Sequence, residues 1–192
     1  MDTLKNILAL FAFVFILSTR SSNAGVLAEP YLGLSLGAGG DARIDYKNIE
    51  YSFSAATYGT RIGYQYLGFM AGLDYSFQKF RMTKEGPGIA KKLDTKKNQW
   101  GVFAGYNFPL LIRAWGTFFV SSKIDGESEV FKKGMGYELG IGSTTLPFVS
   151  LNISYRTLTY DRYIAVGNPV YNEKLVSHEL LFSASLPLEL FD

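Results

Sequence analysis

The sequence predicts an all-β fold, an eight-stranded antiparallel up-and-down transmembrane β-barrel, and three observations carry that prediction. Beyond Glu29 the chain alternates between large apolar residues and small or polar ones, the two-residue period of a strand with two unlike faces. The alternating stretches are joined by connections that are short and long in turn. Every charged side chain within those stretches falls on one of the two faces.

Composition narrows the class before any element is placed. The 192 residues are 47% hydrophobic, 16% aromatic and 19% charged, one domain's worth of material and too apolar for a disordered chain. A formal net charge of +2 excludes a nucleic-acid binder driven by phosphate contacts, which needs a concentrated basic face. With Cys 0, disulfide scaffolds, thiolate zinc sites and cysteine nucleophiles are excluded. The single histidine, His178, excludes a multi-histidine metal site, and no metal or cofactor is expected.

Residues 1–24 read as a cleavable signal peptide. Lys5 supplies a positive start, an unbroken apolar run extends from Ile7 to Leu17, and Ser22, Asn23 and Ala24 occupy the positions a signal peptidase reads. The run is short of the roughly 20 residues a helix needs to span a bilayer, which argues against an anchor. Residues 25–192 then form the barrel domain.

The strands follow in order. Residues 31–38 set Leu32, Leu34 and Leu36 against Tyr31, Gly33, Ser35 and Gly37. Residues 57–66 set Tyr58, Thr60, Ile62 and Tyr64 against Gly59, Arg61, Gly63 and Gln65. Residues 69–78 set Phe69, Ala71, Leu73, Tyr75 and Phe77 against Gly72, Asp74, Ser76 and Gln78. Residues 99–108 set Trp100, Val102, Ala104 and Tyr106 against Gly101, Phe103, Gly105 and Asn107.

The second half continues. Residues 112–121 can be phased as Ile112, Ala114, Gly116, Phe118 and Val120 against Arg113, Trp115, Thr117, Phe119 and Ser121, although the bulk of Trp115 and Phe119 leaves this phase open. Residues 134–142 set Met135, Tyr137, Leu139 and Ile141 against Gly136, Glu138, Gly140 and Gly142. Residues 149–156 set Val149, Leu151, Ile153 and Tyr155 against Ser150, Asn152, Ser154 and Arg156. Residues 179–186 set Leu180, Phe182, Ala184 and Leu186 against Glu179, Leu181, Ser183 and Ser185. Tight turns are expected at 66–68, 109–110 and 143–147, and longer polar loops at about 40–50, 82–98, 122–133 and 162–174.

Charge and bulk decide which face looks outward. An Arg or Lys facing lipid at the midplane would cost about 2–4 kcal/mol, so a face free of charge is the one a bilayer selects. An eight-stranded lumen is just wide enough to be filled by side chains and has no room for the large apolar set; the glycine-rich face fits inside. Aromatic placement agrees: Tyr64, Phe69, Tyr106, Phe108 and Phe148 fall near the short turns, and Tyr58, Tyr75, Phe77, Trp100 and Tyr155 toward the long connections, as two interfacial girdles.

The stretches YLGLSLG at 31–37, GTRIGYQY at 59–66 running through a tight turn into GLDYSF at 72–77, and VSLNISY at 149–155 resemble the small eight-stranded outer-membrane barrels. That group includes the barrel domain of outer-membrane protein A and outer-membrane proteins X and W. The resemblance implies insertion in a Gram-negative outer membrane, with the long connections outside and both termini in the periplasm. It also implies the outer-membrane assembly machinery as a partner during insertion. The group usually ends on an aromatic residue, whereas here Phe191 is followed by Asp192. No peptidoglycan-binding domain is expected after the last strand.

Three functions remain open. The inward charges are Arg61, Arg113 and Arg156 against Asp74, Glu138 and Glu179, which sum to zero. Balanced charges with Gln65, Gln78, Asn107 and Asn152 suggest a closed polar network, and hence a non-enzymatic barrel serving envelope integrity or surface interaction. A narrow path for small, partly apolar compounds is the second reading, lined by Phe103, Trp115, Phe119 and Leu181. A lipid-modifying enzyme is the third. The run Ser177, His178 and Glu179 suggests a triad, but strand neighbours point to opposite faces, so no local triad forms and no catalytic residue is assigned. In the region 82–98, Lys84, Lys91, Lys92, Lys96 and Lys97 outnumber Glu85 and Asp94, and are candidate contacts to lipopolysaccharide phosphates. Outer-membrane lipid is thus an expected partner, nucleic acid is not, and the chain is expected to act as a monomer.

Overall fold

A computed structural model describes residues 24–44, 47–86, 89–126, 129–146, 148–165, 170–171 and 174–190. The expected signal peptide, apart from Ala24, and the terminal Phe191 and Asp192 lie outside the described residues.

The strands are β1 (Gly25–Ile44), β2 (Lys47–Tyr66), β3 (Phe69–Gly86), β4 (Ile89–Phe108), β5 (Ile112–Gly126), β6 (Glu129–Leu146), β7 (Val149–Ala165), β8 (Val170–Tyr171), β9 (Leu175–Ser185) and β10 (Leu188–Leu190). Each long strand pairs antiparallel with the next, and β9 closes the sheet by pairing with both β7 and β1. The short β8 pairs β7 beyond β9, and β10 pairs β1 below it, so β8, β9 and β10 occupy one strand position and the barrel has eight.

Closure requires the strands to tilt and the register to stagger. A path along the ladder that leaves β1 at Tyr31 passes Gly59, Ser76, Gln99, Ser122, Gly134, Tyr160 and Leu175, and returns to β1 at Ala42. The sheet winds up its own wall rather than meeting itself level.

Side-chain parity agrees with the sequence pattern in the lower part of the barrel, nearest the short turns. Leu32, Ile62, Leu73, Leu139 and Ile141 project outward and are 55–62% exposed, while Arg61, Asp74, Arg113, Glu138, Arg156 and Glu179 point inward. In β5 the phase left open resolves with Arg113, Trp115, Thr117 and Phe119 inside. The expected inward position of Ser121 is corrected: a bulge lets Gly101 pair with Phe119 while Trp100 pairs with Ser121, which turns Ser121 outward and Ser122 inward. A second bulge in β1 centres on Gly37, whose φ of 61° is the left-handed conformation that favours glycine.

The expected long polar loops are also corrected. The hairpins continue as paired strands to Ile44 and Lys47, to Gly86 and Ile89, and to Gly126 and Glu129, and β7 runs on to Ala165. In β2, β3 and β4 the reason is an inversion of polarity without a change of parity. Along β2, inward positions 49, 51, 53 and 55 are Ile, Tyr, Phe and Ala, and inward positions 57, 61 and 65 are Thr, Arg and Gln. Outward, Glu50, Ser52 and Ser54 give way to Tyr58, Ile62 and Tyr64. The β2–β3 ladder passes through this change without a register shift. The upper barrel is therefore built like a water-soluble one, around a core of Ile49, Tyr51, Phe53, Phe80, Met82, Leu93, Ile124, Phe131, Leu158, Tyr160 and Tyr163. The expectation that the lumen has no room for a large apolar set fails in this section, where Phe53 stacks on Phe80 with centroids 4.4 Å apart.

Three short turns share one feature. Leu67, Leu111 and Phe148 each adopt a positive φ, of 48°, 61° and 66°, and each projects into the surroundings. A left-handed backbone costs a residue with a Cβ roughly 1–2 kcal/mol.

Candidate functional site: the charged interior

The interior of the lower barrel is organised by one chain of alternating charges. Arg113 on β5 grips Glu29 on β1 with two parallel bonds of 2.7 Å, Nη1 to Oε1 and Nη2 to Oε2. Glu29 also lies 3.6 Å from Nη1 of Arg61 on β2. Arg61 donates through Nε to Asp74 of β3 at 3.1 Å and through Nη2 to Glu138 of β6 at 3.4 Å. Glu138 Oε2 accepts from Arg156 of β7 at 2.9 Å (Nε) and 2.6 Å (Nη2). Arg156 in turn bonds Gln99 and lies 3.8 Å from Glu179 of β9, which pairs with Lys97 of β4.

All these charged groups are at most 2% exposed, and among the described residues the cations Arg61, Lys97, Arg113 and Arg156 balance Glu29, Asp74, Glu138 and Glu179. Burying ions without partners is costly, so neutral donors complete the set. Tyr31 and Thr117 donate to Asp74 at 2.9 and 3.2 Å, and Trp115 Nε1 donates to Glu138 at 3.2 Å. Gln78 and Ser35 donate to Glu179 at 2.9 and 3.1 Å.

Aromatic rings fill the space between the charges. The Arg61 guanidinium lies 4.8 Å from the Tyr31 centroid and 4.4 Å from that of Trp115, and Arg156 sits 4.7 Å over Phe119. Two glycines make room for them. A Cβ on Gly59 would collide with the Tyr31 ring, and one on Gly140 with the Trp115 indole.

Apolar layers bound the ionic one. Toward the short turns lie Leu27, Met70 and Phe103, at most 3% exposed. On the other side Phe119, Leu158, Tyr160 and Phe131 begin the upper core. Trp115, Phe103, Phe119 and Leu181, the residues considered for a solute path, are all buried packing residues.

Of the sequence-predicted interior charges, all six join this network. Sequence reasoning missed two more, Glu29 and Lys97. Glu29 is two residues before Tyr31, and Lys97 two before Gln99, so extending each inward face by one step would have found them. For the lysines expected at lipopolysaccharide, the structure makes a correction. Lys97 points inward to Glu179, and Lys84 lies inside the upper barrel, 5.8 Å from the ring centroids of Tyr51 and Tyr163. Both sit on inward positions of strands that continue where loops were expected. Lys92 and Lys96 are exposed on the outer face, and the side chain of Lys91 lies outside the described residues.

The wall separates the members of the run 177–179. Ser177 and Glu179 point inward, and His178 faces outward, where its Nδ1 is 2.8 Å from the Tyr155 hydroxyl and 2.7 Å from Thr157 Oγ1. Among the described residues no group of three or more His, Cys, Asp or Glu side chains is placed to hold a metal.

The chain matches no protein-family model and no curated protein. Its fold is similar to that of solved outer-membrane barrels. Neisserial surface protein A aligns over 86% of this chain and 99% of its own, at 18% identity and a TM-score of 0.53. The outer membrane protein OprG from Pseudomonas aeruginosa aligns over 86% and 97%, at 11% identity and 0.52. Outer membrane protein AlkL, solved in lipid bilayers, aligns over 89% and 93%, at 12% identity and 0.56. At these identities the likeness is one of fold: a closed, eight-stranded, antiparallel up-and-down barrel.

Proposed function

We propose that this protein is an exported, integral outer-membrane barrel with a sealed interior. It is non-enzymatic, acts as a monomer, and serves envelope integrity or surface interaction rather than solute passage. Its partners are outer-membrane lipid and lipopolysaccharide, with the assembly machinery engaged during insertion. The observation that carries this reading is the alternating charge chain from Arg113 to Lys97, neutral in sum and held between apolar layers. A selective pore would need a constriction with an excess of one sign and a wet path on either side. The outward apolar band, flanked by exposed Tyr58, Trp100 and Tyr155 above and Tyr64, Phe69 and Phe108 below, supports the membrane assignment.

Cell fractionation with heat-modifiable gel mobility tests location, and conductance of the purified protein in planar bilayers tests the seal. The expected result is a heat-modifiable band in the outer-membrane fraction and no steady single-channel steps. Recovery from the soluble fraction would overturn the first part of the reading, and stable steps the second.

A further inference from the structure

On the outer face, Lys79 of β3 and Lys96 of β4 stand directly opposite each other, and both are exposed. Like charges placed directly across a ladder repel. Neither lysine has an ion-pair partner among the described residues, because the acids nearby are engaged elsewhere. Asp94, one position beyond the pair on the same face, holds Arg81 at 3.1 Å. Asp125, opposite Lys96 on β5, holds Lys123 at 2.7 Å. On the other flank Lys79 faces only Ala56.

The height of this pair is set by what lies beneath it. Phe77 faces Asn98 one outward step below, and Tyr75 faces Trp100 the next step down, with ring centroids 4.5 Å apart. Tyr75 and Trp100 belong to the aromatic edge of the apolar band, and Arg81 and Asp94 above belong to the polar outer surface. The lysine pair thus occupies the first charged rung above the hydrocarbon boundary, the level of headgroup phosphates.

We infer that Lys79 and Lys96 form a clamp for a phosphate group of a phosphorylated glycolipid headgroup in the outer leaflet, that is, of lipopolysaccharide. The inference rests on the outer-membrane reading above and deepens it. Each ammonium offers three donors on a flexible stem, so two of them can close on one phosphate and turn their mutual repulsion into shared attraction. Arg81 and Lys123 enlarge the positive field, since Asp94 and Asp125 only partly offset the four cations.

The test uses the mature full-length chain in nanodiscs of zwitterionic phospholipid. Intact lipopolysaccharide, enzymatically dephosphorylated lipopolysaccharide and inorganic phosphate are the probes, and the midpoint of heat-modifiable mobility is the readout. Intact lipopolysaccharide is expected to raise the midpoint and the dephosphorylated form to leave it unchanged. The double variant Lys79→Gln/Lys96→Gln should bind lipopolysaccharide about tenfold or more weakly, yet in plain phospholipid be at least as stable as the parent. The variant Lys79→Arg/Lys96→Arg should retain binding. Equal binding by the double Gln variant, or an equal response to the dephosphorylated lipid, overturns the inference. So does a full response to inorganic phosphate alone, which would mark a free-phosphate site. If the Gln variant does not fold, the comparison of intact and dephosphorylated lipid decides. Failure of the underlying reading looks different: the protein would not insert into the nanodiscs.

Discussion

Arg113 and Glu29 join opposite walls of the barrel through two bonds of 2.7 Å, across 84 residues of sequence. Both groups are buried, at 1% and 0% exposure. Removing one member of such a pair strands the other. Glu29→Gln should therefore destabilise the barrel by about 3–5 kcal/mol, and adding Arg113→Met should recover part of that loss. Urea unfolding in phospholipid vesicles measures both, and additive losses would show that the pair does not act as a unit.

The chain has two tryptophans, and the fold places them on opposite sides of the wall: Trp100 is 51% exposed and Trp115 4%. With Trp115→Phe, emission from the remaining Trp100 should be quenched strongly by brominated acyl chains. With Trp100→Phe, emission from Trp115 should be largely insensitive to them. Equal quenching in the two variants would mean that the strand phases are wrong.

Absence of cysteine makes labelling clean. Single cysteines at Ser52 or Ser54, on the outer surface of the upper barrel, should react with a membrane-impermeant maleimide on intact cells. Cysteines at Ile62 and Leu73, in the apolar band, should not. Protection of Ser54 would move the hydrocarbon boundary above the polarity inversion.

The upper barrel depends on its own core. Phe53→Ala removes a ring stacked on Phe80 and should cost about 3–5 kcal/mol. Because the ionic layer lies below, the loss should appear as local opening, with faster hydrogen exchange in the upper hairpins than around Arg61. Uniform acceleration would show that the two sections unfold together.

At Leu111 two effects compete. Glycine would relieve a left-handed φ of 61°, a gain of roughly 1–2 kcal/mol, but would remove an apolar side chain whose burial in lipid contributes roughly 1.5–3 kcal/mol. Leu111→Gly should therefore lower stability in bilayers. A rise would indicate that this turn stands in water.

The lower barrel was legible because parity and polarity agree there. Tyr58, Thr60, Ile62 and Tyr64 are apolar or neutral and face outward, and Arg61 and Gln65 face inward, so the period alone places them. The upper strands were not legible because the same parity carries opposite polarity. Lys79, Arg81 and Thr83 face out while Phe80 and Met82 face in, and lysine-rich text of this kind reads as loop. Lys97 fell on the wrong side of that judgement, and with it one inward cation. The bulges at Gly37 and between Val120 and Ser121 lie near the level of the inversion, where a strict two-residue count is off by one.

Inversion of polarity also gives the cylinder a waterline. In a bilayer, sinking it by two residues, roughly 5 Å along the normal for strands tilted near 40°, would drag Lys79 and Lys96 into oil. Raising it as far would lift Tyr58 and Trp100 out of their berth. Since the rigid wall cannot stretch to suit its host, a thicker or thinner bilayer must pucker to meet it, and the draught is written in the chain rather than chosen by the lipid.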